Sequence, residues 1–208
     1  WCGYCNTTGI DEMDYIISDK NLILQNEEKL YSEKILYMKN IWNCHSGYEG
    51  ERQFNDAPMI KNKYITFGSF NNFRKINNNV INAWSSILKK IDNAKLILKA
   101  SDTASVIKIS KEFEKNGVLK MVEFQSHTKS LNDHLNQYKN IDLALDTFPY
   151  NGVTTSFEAI WMGVPVLTMK GFNFNSRCGE SINKNLNLDE LIAENENGMI
   201  SISFSEHN

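Results

Sequence analysis

Several side chains in this sequence have the types and spacing needed to hold a phosphorylated ligand. Lys75 lies in a polar loop, residues 69–75, beside Arg74 and two asparagines, just beyond an apolar strand pattern. A lysine so placed can neutralise a diphosphate, and Asn71 or Asn72 can donate to its oxygens. Residues 146–158 hold a second group. There a short apolar run (141–145) gives way to Pro149, Asn151 and Gly152, which break the chain sharply. Thr154 and Thr155 are placed to cap the helix that follows, with Glu158 near the capping-box position. Such a strand-to-helix corner offers unpaired backbone N–H groups and a positive dipole end, which suits an anion. Glu158, one turn in, could also accept bonds from ribose hydroxyls. Each feature has a plainer counterpart: a solvated loop lysine, a capped helix that binds nothing, a carboxylate on the helix dipole. His134 falls on a helical pattern among Leu131, Leu135 and Tyr138, where composition alone marks it as an ordinary core or surface residue. His45 and His127 have no partner that singles them out.

The elements that must position these groups alternate. Strand patterns at 64–68, 95–100, 121–125, 141–145 and 165–169 are separated by helical patterns at 77–91, 104–115, 129–138 and from the corner to Gly163. Gly117 is placed to end the second of these helices, and Trp84 belongs to a core-facing stripe. Five alternations at short intervals predict an α/β fold, a Rossmann-like, doubly wound parallel sheet. In such sheets ligands bind at the carboxyl ends of the strands, where loops 69–75, 125–128 and 146–155 all lie. No G-x-G-x-x-G and no P-loop pattern is present, which disfavours an ordinary dehydrogenase or P-loop nucleotidase. Before this block, residues 13–17 read as a brief strand, 26–38 as an amphipathic helix and 40–63 as a linker. After it, 176–183 and 188–194 read as helices.

With 208 residues, 41% hydrophobic and 23% charged, the chain can bury a full core. A net charge of -3 provides no footprint for nucleic acid or an anionic membrane, and no apolar run is long enough to span a bilayer. The chain opens on Trp1 rather than Met and reads as part of something longer. Cys2 and Cys5 form a C-x-x-C, but Cys44 and His45 are adjacent and no second pair follows, so reduced thiols in a reducing compartment are expected rather than zinc. From residue order alone, the site holds a nucleotide diphosphate and stabilises negative charge. That fits group transfer from a diphosphate and equally a non-catalytic binding module.

The motifs Ile65-Thr-Phe-Gly-Ser-Phe-Asn-Asn-Phe-Arg-Lys-Ile76 and Leu145-Asp-Thr-Phe-Pro-Tyr-Asn-Gly-Val-Thr-Thr-Ser-Phe-Glu-Ala159, extended by Trp161 to Met169, Ser176-Arg177 and the opening Gly3 to Gly9, resemble the O-linked N-acetylglucosamine transferase/SPINDLY family, family 41. The versions of the first two motifs lean towards its SPINDLY branch. The resemblance implies a GT-B glycosyltransferase, with residues 1–60 the tail of an N-terminal catalytic domain plus linker and 61–208 the donor-nucleotide-binding domain, truncated. It implies that Lys75 meets the diphosphate with Asn72 beside it, that Thr154 and Thr155 meet the phosphates, and that Glu158 meets the ribose. His134 falls at the family's base-side histidine, and Lys75 with His134 are the candidates for catalysis. Transfer would be inverting and need no metal or other cofactor. The donor would be UDP-N-acetylglucosamine or GDP-fucose and the acceptor a protein, in a cytoplasmic parent with upstream TPR repeats. Two departures stand out: Val153 replaces a residue that is often His, Gly or Thr, and Leu131 stands where animal enzymes carry a lysine.

Overall fold

The computed structural model describes residues 5–49, 56–100 and 102–205. Its core is a six-stranded, all-parallel sheet built from β3 (Thr66–Ser69), β4 (Lys95–Lys99), β5 (Val122–Gln125), β6 (Leu143–Leu145), β7 (Val166–Met169) and β8 (Ile192–Ala193). The order is β5-β4-β3-β6-β7-β8. Helices α2 (Asn78–Lys90), α3 (Thr103–Lys115), α4 (Leu131–Gln137), α5 (Thr154–Trp161), α6 (Phe174–Asn185) and α7 (Glu196–Ser205) connect and follow the strands. The central strands β3 and β6 are buried at every position because both faces of the sheet are covered. Trp84, 0% exposed, anchors the larger core with Phe67, Phe113 and Leu167. Gly117, at φ +72°, ends α3 in the left-handed conformation that glycine adopts without steric cost.

The strand order places a switch point at the middle of the sheet. From β3 the chain winds outward through β4 to β5, then returns to lay β6 on the other side of β3. The chain leaving β3 and the chain leaving β6 therefore turn in opposite directions at the carboxyl ends, the crevice position where sheets of this kind bind ligands.

Beside the large sheet lies a second, two-stranded parallel sheet of β1 (Tyr15–Ser18) and β2 (Lys34–Tyr37). This corrects the helix expected over 26–38. Residues Gln25–Leu30 form a 3₁₀ turn, and Ile35 pairs with Ile16 across the sheet while both pack towards Leu22 and Phe174. Strand pairing with a distant partner outweighs local helix propensity here. The expected helix at 188–194 is likewise a 3₁₀ turn, Asp189–Leu191, leading into β8, which adds a sixth strand to the five anticipated. Within the expected linker, Pro58–Asn62 form a short helix, α1. Among the described residues no helix is long and apolar enough to cross a membrane.

Helix α6 is buried on nearly all sides although much of it is polar. A buried polar group is normally paired, and apart from Glu180 Oε2, which has no hydrogen-bond partner among the described residues, the main ones here are. The Ser181 hydroxyl donates to Asp19 Oδ2 at 2.6 Å, and Asn183 donates to the carbonyls of Val166 and Leu191. Arg177 forms a two-pronged ion pair with Glu27 at 2.6 and 2.8 Å. That pairing holds the Glu27 carboxyl below its usual range. Through these contacts α6 ties the small sheet to the large one.

Candidate active site

The loop leaving β3 forms a single 3₁₀ turn, Phe73–Lys75, capped by Asn72, whose side chain accepts from the Arg74 N–H at 3.0 Å. The turn points Lys75 across the switch point, where its Nζ donates to the Asn151 carbonyl at 2.7 Å and lies 4.4 Å from the Tyr150 ring centre. Burial pushes the Lys75 pKa down, and the Asp146 carboxylate opposes that shift. Asn72 itself is exposed and occupied with its turn, whereas Asn71 is buried and accepts from the Thr155 hydroxyl at 3.0 Å. Asn71 is thus the asparagine that links the two loops.

The corner after β6 is held from within by Asp146. This fully buried carboxylate accepts from the N–H groups of Thr147 and Gly152 at 2.8 and 2.7 Å and from the Thr168 hydroxyl at 2.8 Å. Asn151, also buried, donates to the Thr147 carbonyl and accepts from the Gly179 N–H. The corner therefore stands as a preformed scaffold beneath the start of α5. Gly179 of α6 backs it so closely that a Cβ there would lie 2.1 Å from Thr168 Oγ1 and 2.7 Å from Asp146 Oδ2. Gly179→Ala is accordingly expected to destabilise by about 2 kcal/mol or more, through overpacking, in denaturant titration.

The start of α5 corrects the expected caps. Val153 is the residue before the first turn and makes no side-chain cap; Thr154 and Thr155 are the first two helical residues. Their position leaves the first-turn N–H groups without intrahelical partners. Glu158 is two residues beyond the capping-box position. Its carboxylate meets His134 Nε2 at 2.9 Å, and the Tyr138 hydroxyl donates to the same oxygen at 3.1 Å. Tyr138 also donates to the Thr155 carbonyl at 3.2 Å, which joins this pair to the corner.

The six residues singled out in the sequence therefore fall on two adjoining patches. Lys75, Thr154 and Thr155 surround the α5 start; His134 and Glu158 form a hydrogen-bonded pair one turn further along; Asn72 stands outside both. Sequence reasoning missed Lys99, which closes β4 and contacts His134 Nδ1. A lysine ending an apolar strand was the one available signal. It also missed the packing of His45, whose ring stacks on Phe157 at 5.2 Å and lies 4.9 Å from Tyr48.

Of the C-x-x-C, Cys2 lies outside the described residues, and Cys5 packs against Cys178. Among the described residues no group of three or more His, Cys, Asp or Glu side chains could hold a metal ion. A cavity of about 540 Å³ lies between α2 and α3, lined by Arg74, Asn77, Lys108 and Glu112, and none of the convergent residues lines it.

Residues 52–206 match the family model described as glycosyl transferase family 41. A probable UDP-N-acetylglucosamine–peptide N-acetylglucosaminyltransferase SPINDLY from Solanum lycopersicum is 32% identical over 203 residues, covering 94% of this chain and 22% of that protein. The SPINDLY protein of Arabidopsis thaliana, likewise named, is 30% identical over 213 residues, 98% of this chain and 23% of that one. Among solved structures, an O-GlcNAc transferase from Thermobaculum terrenum, in its K341M mutant, superposes with a TM-score of 0.88 at 32% identity over 99% of this chain and 39% of that one. The chain spans about a fifth of the length of the curated relatives it matches. By the match over residues 52–206 and these identities, the chain belongs to glycosyl transferase family 41.

Proposed function

We propose that the full-length protein transfers a sugar from a nucleoside diphosphate donor to serine or threonine hydroxyls of protein acceptors, and that this chain supplies most of its donor site. The observation that carries the reading is the convergence, at the sheet's switch point, of the Lys75 ammonium with the N-terminal turn of α5. The acceptor hydroxyl oxygen attacks the anomeric carbon while the bond to the diphosphate breaks; that electron pair passes to the leaving oxygen, and the hydroxyl proton passes to the departing diphosphate or to water. Negative charge grows on the phosphates at that moment. A fixed cation and oriented N–H groups stabilise it without reorganising, so no metal is required. Lys75 takes the catalytic role, Thr154 and Thr155 line the phosphates, and His134 with Glu158 hold the nucleoside.

The default donor is UDP-N-acetylglucosamine, the sugar nucleotide for which the SPINDLY relatives are named. The second reading is GDP-fucose, favoured by the SPINDLY-branch form of the segments Phe67-Gly-Ser-Phe-Asn-Asn72 and Leu145-Asp-Thr-Phe-Pro-Tyr150. Calorimetry of the full-length protein with UDP, GDP and their sugars separates the two. The donor's own nucleotide should bind well ahead of the other, and transfer should persist in a metal chelator. Binding without transfer to any peptide would instead mark a nucleotide-sugar-binding module. If neither nucleotide binds, the proposal is wrong.

A further inference from the structure

Lys99 ends β4 at the carboxyl edge of the sheet and is only 8% exposed. A buried ammonium needs acceptors. Its Nζ is in close contact with His134 Nδ1, lies 3.4 Å from Thr128 Oγ1, and sits 5.8 Å from the Phe70 ring centre. An ammonium has donors and no lone pair, so the imidazole nitrogen it meets must accept and carries no proton. The ring's single N–H is then on Nε2, 2.9 Å from Glu158 Oε2, where it donates to the carboxylate. Tyr138 donates to the same oxygen at 3.1 Å. Glu158 Oε2 is thus filled by two donors, whereas Oε1 has the Tyr48 hydroxyl at 3.5 Å, the outer limit for such a bond.

We propose that Lys99 is a positioning residue of this site: it locks His134 as the neutral Nε2–H tautomer, and that tautomer turns Glu158 so that Oε1 is presented to a sugar hydroxyl of the bound nucleoside. The ligand half of this inference rests on the donor-site reading above. A chemical consequence follows for His134. With Nδ1 engaged by Lys99 and Nε2 protonated, the ring has no lone pair left to take a proton from an incoming hydroxyl. His134 therefore orients the donor and does not act as a general base. Orientation of a group that binds ground state and transition state alike is felt in KM rather than kcat.

The test uses full-length protein labelled with ¹⁵N at histidine, with the His134 resonances assigned by their loss in His134→Gln. The expected wild-type spectrum shows a proton-free Nδ1 and a protonated Nε2. In Lys99→Met that pattern should be lost, donor KM should rise about tenfold, the effect of one charge-assisted bond, and kcat should stay within about twofold. Lys99→Arg, which can still donate to Nδ1, should restore both the spectrum and KM. A protonated Nδ1 in the wild type overturns the proposal, even if Lys99→Met fails to fold. So does a Lys99→Met variant with unchanged spectrum and KM. Nucleotide calorimetry on the same sample keeps the two readings apart. The expected tautomer with no nucleotide binding would refute the donor site and the role given to Oε1, while leaving the Lys99–His134 lock in place.

Discussion

Replacing Lys75 with alanine is expected to lower turnover of the full-length protein by about 10²- to 10³-fold at saturating donor, the usual consequence of removing one preorganised group that stabilises developing charge. The size follows from where the ammonium sits. It is partly buried, its position is fixed by the Asn151 carbonyl at 2.7 Å, and it lies across the switch point from the α5 start. Water cannot readily replace a cation held in that way. The cost to folding should be small beside that loss of turnover, about 1 kcal/mol for the lost bond to Asn151. Turnover at saturating donor and thermal melting, measured on the same preparation, separate the two effects. A variant that turns over normally would place the diphosphate elsewhere, and one that melts far below the wild type would make Lys75 structural.

Asp146 should control stability and its dependence on pH. Burial lifts its pKa from 3.8 to about 6, against three hydrogen bonds donated to it and the attraction of Lys75. The folded state therefore holds a proton that the unfolded state has already released. Below about 3.8 both states are protonated and the contribution to stability is fully present; it is lost as pH rises through about 6, and above that there is no further change. The rise corresponds to roughly 3 kcal/mol between those limits. Denaturant titrations across this window should show the wild type losing stability with rising pH, and Asp146→Asn should remove that slope. The same fall in both proteins would assign it to another group. Asp146→Ala should be worse than either, by about 3 kcal/mol or more, since it strands the N–H groups of Thr147 and Gly152 and the Thr168 hydroxyl in the interior.

The fold of residues 64–169 was legible because each strand and helix there carries its own period and its own punctuation. Residues 26–38 were not, because the property that makes Lys34–Tyr37 a strand is a partner about twenty residues earlier, and a Glu/Lys-rich segment looks helical without it. Strand β8, with two residues, is too short to show a period at all. In the site, Lys75, Thr154 and Thr155 could be found because loops at strand ends announce themselves through turn residues. Lys99 could not, since a lysine at the end of an apolar strand usually reaches solvent, and its partner His134 lies 35 positions away. Asn71 and Asn72 are indistinguishable as letters; the turn geometry decides that one faces the crevice and its neighbour faces outward.

Helix α6 carries an implication for how this sequence can drift. On one side Ser181 and Arg177 grip Asp19 and Glu27 of the small-sheet region; on another Gly179 is pressed against Asp146 and bonded to Asn151, which in turn anchors Lys75. Each contact joins positions far apart in the chain, so a change at one end is tolerated only with a matching change at the other. Ser181 should covary with Asp19, and Arg177 with Glu27, while position 179 stays glycine wherever Asp146 and Thr168 are kept. If the proposed transfer were lost in a lineage, the constraint on Lys75 would go with it, but these pairings would stay, and α6 should remain recognisable after the lysine has gone.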